Sequence, residues 1–315
     1  MSECGRMHFF RSLEPDLTPS GSVLTIGNFD GVHLGHRAIL QKVVEKAKAK
    51  GLPSVLLTFE PHPIQVLFPE RKLRRLFSVE DLRVQVEKLG LDTLIVQNFD
   101  QDFAALTATE FLEKKVMPAL KPQELVVGHD FNFGANRSGT LDFLTDWCAK
   151  TKLSLLVQSP IEVDGERVSS RRIRELITAG DVSRARVFLN RPFYLEGVVE
   201  KGAGRGRTIG IPTINIQPRE FVQPRVGVYV SETEIGGLKF RSVSNLGVSP
   251  TFGPDLEIKL ETHIFDFDEN VYGQSVRVEL LQYLRDEKKF ASVDELKAQI
   301  AIDMQKARDF KGSTP

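Results

Sequence analysis

The sequence predicts an α/β unit followed by an all-β unit: a doubly wound parallel sheet over about residues 8–187, then a six-stranded antiparallel barrel with a terminal helix over about 191–315. Three observations predict this. Between Val23 and Val187 short β-branched apolar runs alternate with longer stretches of helical period, the pattern of a parallel sheet covered by helices. Beyond Asn190 glycine, proline and β-branched residues crowd together, and no helical period interrupts them before Tyr283. The 315 residues are also about twice the length expected of one domain, so each half can bury its own core.

In the first half the strand candidates are SVLTIGN (22–28), SVLLTFE (54–60), DTLIVQ (92–97), ELVVG (124–128) and LSLLV (153–157). Helices are expected over 37–50, 79–89, 107–116 and 139–150, where apolar residues recur every three or four positions. A Rossmann-like sheet of this kind binds ligands beyond the carboxyl ends of its strands, which directs attention to the loops after Asn28, Glu60 and Gly128.

In the second half six strands are expected near 194–201, 213–217, 227–233, 239–245, 257–265 and 275–283. Ser292 opens a final amphipathic helix to about Phe310, with Leu296, Ile300 and Ala307 on one face. The boundary is expected at 188–192, where Asn190-Arg191-Pro192 stops the preceding helix.

Composition narrows the function. Forty-two basic residues balance 42 acidic ones, which speaks against a dedicated nucleic-acid binder, because phosphate backbones select a basic surface. The two cysteines, Cys4 and Cys148, form neither a CxxC nor a zinc spacing and suit a reducing compartment. The start has no apolar leader core, and no stretch approaches the ~18 apolar residues of a membrane span, so a cytoplasmic enzyme without membrane association is expected.

The sharpest motif is Gly27-Asn28-Phe29-Asp30-Gly31-Val32-His33-Leu34-Gly35-His36, between the first strand and the first helix. A helix start aims backbone N–H groups and the positive end of the dipole into this turn, which makes it an anion site. His33 and His36 can donate to phosphate oxygens there, and Gly35 lets a triphosphate approach the backbone. The turn is not a Walker A loop, and it lacks the spacing of a zinc site. It is equipped to neutralise charge at an α-phosphate under in-line attack, which is nucleotidyl transfer.

A second motif, Gly202-Ala203-Gly204-Arg205-Gly206-Arg207-Thr208-Ile209-Gly210-Ile211-Pro212-Thr213-Ile214-Asn215, opens the barrel half. Gly204, Arg205, Gly206 and Arg207 make a flap able to wrap phosphates with backbone N–H groups and guanidinium forks. Thr213 and Asn215 stand two apart on the following strand and project from one face, and their hard oxygens beside phosphates suit Mg2+.

GNFDGVHLGH together with FEPHP at 59–63 closely resembles the adenylyltransferase domain of bacterial bifunctional riboflavin kinase/FAD synthetases. VGHDFNFG at 127–134 resembles that family's G-x-D-F-x-F-G loop. SSRRIR at 169–174 resembles its S-S-T-x-I-R motif, with Arg171 where threonine is usual. The stretch Pro212-Thr213-Ile214-Asn215 is similar to the family's kinase motif, with Ile214 in place of alanine. NLGVSPTFG at 245–253 and LETHIFDF at 260–267 resemble the remaining kinase signatures.

The resemblance implies a nucleotidyltransferase domain joined to a kinase barrel. The barrel would use ATP to phosphorylate riboflavin to FMN, and the first domain would then adenylylate FMN to FAD with release of pyrophosphate. It further implies that Gly27, Phe29, Asp30, His33, Gly35, His36, Ser170 and Arg174 bind ATP, and that His62 and Asp130 line the nucleotide or flavin pocket. In the barrel, Pro212 joins the flap in the ATP and flavin site, Arg285 contacts flavin or phosphate, and Glu261 serves as general base. Glu257, four residues earlier on the same strand face, remains open as the base. Flavin is substrate and product, not a resident cofactor; Mg2+ is expected in both reactions. Two other readings stand beside this one. A pantetheine-phosphate-type adenylyltransferase with an accessory barrel leaves Thr213, Asn215 and Glu261 without a purpose. An RNA-interacting module lacks a basic stripe interleaved with aromatic residues.

Overall fold

The computed structural model describes residues 7–202, 206, 209–218, 221–250 and 256–312. The chain forms two compact units, Met1–Ser170 and Arg171–Pro315.

The first unit carries a six-stranded parallel sheet: β1 (His8–Phe10), β2 (Ser22–Ile26), β3 (Ser54–Glu60), β4 (Thr93–Asn98), β5 (Pro122–Gly128) and β6 (Ser154–Gln158). The spatial order is β1-β4-β3-β2-β5-β6. Five of these strands follow from the sequence pattern. The edge strand β1 does not, because three residues are too short to show a period.

Helices α1 (Leu34–Lys50), the short α2 (Pro63–Leu67) and α3 (Val79–Lys88) come first in the chain; α1 and α3 pack on one face of the sheet, whereas α2 has no buried residue. On the other face packs α4 (Leu141–Thr151). The helix expected over 107–116 is present but widens into a π-type segment at Phe111–Val116. Because both faces are covered, the strands are apolar on both. Val23, Leu56 and Leu94 pack with Leu40, Val43 and Ala47 of α1, while Leu24, Leu57 and Ile95 pack with Phe111, Leu144 and Trp147. From β2 the chain runs outward through β3 to β4, then returns across the sheet to place β5 and β6 on the other side of β2. The ends of β2 and β5 therefore flank the topological switch point, where such sheets bind ligands. A small hairpin, β7 (Glu162–Val163) and β8 (Glu166–Arg167), follows β6.

The second unit opens with α5 (Ser170–Ala179), which starts at the last residue of the first unit, and α6 (Val182–Leu189). Asn190 ends α6 in the left-handed conformation, φ 55°, as its position before Arg191-Pro192 suggests. All six expected strands then form a closed antiparallel barrel: β9 (Phe193–Glu200), β10 (Ile214–Ile216), β11 (Gly227–Ile235), β12 (Leu238–Pro250), β13 (Leu256–Ile264) and β14 (Ser275–Arg285). Closure removes the exposed sheet edges that a free six-stranded sheet would have to protect.

Inside the barrel, Ser231, Thr233, Ser242, Ser244 and Thr262 are buried and satisfy one another's hydroxyls at 2.7–2.9 Å. The terminal helix α7 (Val293–Asp309) begins at Ser292, whose side chain accepts the Glu295 N–H as expected. It packs Ala307 against Val228, Val230, Val243 and Leu281 on the outside of the barrel. Its other deeply buried residue is Asp303, an acid that an apolar periodicity does not reveal.

Candidate active sites

At the switch point the turn after β2 is held in a costly backbone. Phe29 and Val32 have φ of 40° and 41°, and Gly31 between them has φ of 93°. A β-branched residue in this region is an outlier, and it persists because Val32 and Phe29 are both buried in the core below. Asp30 is buried as well. Its carboxylate accepts the Leu76 N–H at 3.0 and 3.2 Å and lies 4.0 Å from Arg75, which also pairs with Glu60. Asp30 thus fixes the turn to the 75–76 segment, and its carbonyl accepts the Ser170 hydroxyl at 2.8 Å. Arg75 and Glu60 were not singled out from the sequence; the only signal was a basic run at 71–75.

His33 caps α1, its Nδ1 accepting the His36 N–H at 3.3 Å. With Nδ1 acting as acceptor, the ring proton resides on Nε2, which makes that atom a donor. The two rings stack at 3.6 Å between centroids, 17° from parallel, and Phe29 supports His36 at 4.8 Å. A Cβ on Gly35 would lie 3.2 Å from His33 Cε1, so the absence of a side chain lets the ring lie over the helix start. Gly27 likewise leaves room for the Phe29 ring, 3.1 Å from where its Cβ would stand.

His62 repeats this arrangement at α2. Its Nδ1 accepts the Ile64 N–H at 3.2 Å and its own N–H donates to Gln65 Oε1 at 3.1 Å, a reciprocal cap that again makes Nε2 the donor. Asp130, just past β5, is exposed and pairs with Arg167 of β8 at 2.6 Å. The loop that carries Asp130 is propped from below by Phe131 stacked on Phe133 at 5.2 Å. From Phe133 contacts continue through Phe111 to Phe103 and Phe59. Gly134, at φ 71°, fits there because a Cβ would strike the Ala108 N at 2.6 Å. Arg174 lies on α5 in the second unit. Arg171 directs its guanidinium to Glu175 one turn on, at 3.0 Å, and that bond holds the Glu175 carboxyl below its ordinary range.

On the barrel, antiparallel register aligns the second site. Asn215 of β10 stands directly opposite Glu261 of β13, and Glu261 stands opposite Asn245 of β12. Residues directly opposite share a face, so the three side chains form one row. Thr262, the next residue on β13, is buried and turned inward, which puts the row on the outer surface where Glu261 is exposed. Thr213 lies one residue before β10, outside its ladder, and two before Asn215. Gly206 packs against this segment: a Cβ there would stand 2.3 Å from the Ile211 carbonyl and 3.4 Å from Thr213 Oγ1. A Cβ on Gly202 would fall 2.3 Å from Asn215 Nδ2, so the chain crosses directly over that amide.

Gly204, Arg205 and Arg207 lie outside the described residues, as does the side chain of Glu257, whose backbone pairs with Ser249. Arg285 is committed elsewhere in the barrel: Nε and Nη2 donate to Asp303 and Nη1 to the Asp286 carbonyl at 2.9 Å. Sequence reasoning passed over three further residues. Glu287 accepts from Asn245 Nδ2 at 3.0 Å, Asp303 receives Arg285, and His263 bonds the Pro212 carbonyl. Only His263, two positions after Glu261 and so on its face, carried a signal that could have found it.

Among the described residues no cluster of three His, Cys, Asp or Glu side chains forms a metal cage. The donor set in the barrel is instead a hydroxyl and an amide oxygen, which fits Mg2+ held chiefly by substrate phosphates and water.

Comparisons with known proteins divide the chain in the same sense. A family model described as FAD synthetase matches residues 16–172, and one described as riboflavin kinase matches 189–311. Proteins named bifunctional riboflavin kinase/FMN adenylyltransferase are similar over most of the chain. That of Escherichia coli K12 is 37% identical over 295 residues, covering 93% of this chain and 94% of its own. That of Bacillus subtilis is 36% identical, covering 91% of each. A crystal structure described as a macrolide-efflux protein from Streptococcus pneumoniae matches with a TM-score of 0.89 at 32% identity, over 97% of this chain and 99% of that one. Here, no described helix is long and apolar enough to cross a membrane.

Proposed function

This chain belongs to the family of bifunctional riboflavin kinase/FMN adenylyltransferases, and from that premise we propose which of its residues run each of the two reactions. The chain phosphorylates riboflavin to FMN and adenylylates FMN to FAD. The first reaction is assigned to the barrel row and the second to the histidine turn. The observation that carries the assignment is that the His33/His36 turn and the Asn215/Glu261 row stand in different compact units.

In the barrel, Glu261 accepts the proton of the primary hydroxyl of the ribityl chain as that oxygen bonds to the γ-phosphorus of ATP and the bond to the β-phosphate oxygen breaks. Thr213 and Asn215 hold the phosphate end of ATP, and their oxygens would hold Mg2+, which supplies charge neutralisation when bound. Gly204, Arg205, Gly206 and Arg207, by their backbone N–H groups and guanidinium forks, and Pro212 beside them belong to the ATP and flavin site. Arg285 acts at one remove, through Asp303 and the Asp286 carbonyl, by setting the segment that follows β14.

In the first unit, a phosphate oxygen of FMN attacks the α-phosphorus of ATP and pyrophosphate leaves. His33 and His36 donate to the phosphate oxygens as charge builds on them, aided by the N-terminal dipole of α1. Gly27, Phe29, Asp30 and Gly35 shape the turn, Ser170 ties it through the Asp30 carbonyl, and Arg174 supplies a further cation to the triphosphate. His62 and Asp130 bound the flavin and nucleotide pocket from the loops after β3 and β5.

The test is to supply riboflavin, ATP and magnesium and to separate the flavins with time; FMN appears first and FAD second. Glu261→Gln abolishes FMN formation yet leaves added FMN convertible to FAD, and His36→Ala does the reverse. Loss of both activities in both folded variants would overturn the two-site assignment.

A further inference from the structure

Strand β10 is short. Its ladder with β13 ends at Ile214 opposite Thr262. The Phe265 N–H bonds the Arg241 carbonyl, so the backbone groups of His263 face β12, and the next bond between β10 and β13 would fall at Pro212 opposite Ile264. Pro212 has no N–H to give, and its carbonyl is not taken by the Ile264 N–H. The residue bearing the hydroxyl of the kinase site would therefore hang from the end of a three-residue strand. One side chain fills the gap: His263 of β13, at the register position opposite Thr213, donates from Nδ1 to the Pro212 carbonyl at 2.7 Å.

We propose that His263 is a positioning residue of the riboflavin kinase site, whose bond to the Pro212 carbonyl replaces the missing ladder bond and sets the Thr213 hydroxyl. The inference rests on the assignment of that site to the barrel row made above. The geometry supports it from both sides of the bond. A carbonyl acceptor requires the proton on Nδ1, so the imidazole is committed as a donor at that atom. The ring is braced, edge to face, on Phe265 at 5.5 Å, and the Arg308 guanidinium covers Phe265 at 4.3 Å. Phe265 is buried, so the imidazole sits on a fixed platform.

On the acceptor side the chain is a closed knot: the Gly206 carbonyl accepts the N–H groups of both Ile209 and Ile211, at 3.2 and 2.8 Å. Gly206 also packs at the Ile211 carbonyl and the Thr213 hydroxyl. These bonds tie Gly206, Ile209 and Ile211 to one another, and His263 joins the Pro212 carbonyl that follows them to β13. Release of that fastening shifts Thr213 by on the order of 1 Å, a displacement that costs roughly 100-fold in rate at a phosphoryl-transfer centre.

The experiment uses the full-length protein and exploits its two activities. Asn places its amide N–H where Nδ1 stands, whereas Gln places it nearer Nε2; His263→Ala, His263→Asn and His263→Gln are assayed for riboflavin phosphorylation and, in the same preparations, for FMN adenylylation. The expected result is a kcat for riboflavin phosphorylation 10- to 100-fold lower in the Ala and Gln variants, and within a few fold of the parent in Asn. Adenylylation is unchanged in all three. Equal kinase rates for the Asn and Gln variants overturn the proposal, as does an Ala variant with unchanged kcat. Should Ala unfold the barrel, the contrast between Asn and Gln still decides. Glu261→Gln is run alongside. Full kinase activity in it removes the site assignment itself, whereas equality of Asn and Gln with Glu261→Gln inactive removes only the role of His263.

Discussion

Arg285, the last residue of β14, donates from Nε and Nη2 to both oxygens of Asp303 on α7, at 2.7 to 3.2 Å. The Asp303 carboxyl is 3% exposed and the arginine side chain 15%, so the terminal helix is fastened to the barrel by an ion pair withdrawn from water. Removing one partner of such a pair strands the other charge. Asp303→Ala is therefore expected to destabilise the barrel by roughly 3–5 kcal/mol, several times the value of an exposed pair. Thermal melting measures it; a melting temperature within a degree of the parent would show that the bridge contributes little.

Gly202→Ala tests the crossing over Asn215. The added methyl would fall 2.3 Å from Nδ2 and 2.6 Å from Cγ of that amide, so either the strand end or the Asn215 side chain must move. Riboflavin phosphorylation is expected to fall at least 10-fold with FMN adenylylation unaffected, read as separate rates of ADP and pyrophosphate release.

Gly35→Ala sets two effects against each other. Alanine within α1 favours the helix by up to about 1 kcal/mol, yet its methyl would press on His33 Cε1 at 3.2 Å and on Nδ1 at 3.3 Å. The variant is expected to melt no lower than the parent while making FAD from FMN about 10-fold more slowly. Unchanged FAD synthesis would mean that the ring angle of His33 is immaterial.

Tyr283 gives the barrel a signature in alkali. Burial, and the bond its hydroxyl donates to Asp286 at 2.5 Å, push the phenol up to about 12. A folded-state value above the ordinary one of about 10 means that folding favours the neutral phenol. Its contribution to stability is complete below pH ~10 and is lost as pH rises through about 12. Absorbance at 295 nm should show a late ionisation step that Tyr283→Phe removes; a variant whose titration overlays that of the parent would contradict this placement.

The architecture was legible because both halves use strong periods. Short, β-branched apolar runs such as SVLLTFE alternating with helical stretches suit strands covered on two faces, and the dense glycine and proline turns after Asn190 suit a small antiparallel barrel or sandwich, of which the barrel formed. The histidine turn was legible because a strand, a glycine-bracketed His pair and a helix start adjoin in the chain. Three residues of edge strand β1 carry no period, and the six-residue π-type segment Phe111–Val116 is too short for its wider turn to show in the apolar spacing, so neither announced itself.

What the sequence by itself determined, then, was the order of most elements and the place of the motifs proposed to meet phosphate, because both are written in local spacing. Which partners hold those residues was decided only in three dimensions. Arg75 reaches Asp30 across 45 positions, Arg285 reaches Asp303 across 18, and His263 reaches Pro212 across 51. Such bonds depend on strand register and on which faces the two layers bury, and a polar residue reads the same in a sequence whether it ends in water or against a carbonyl.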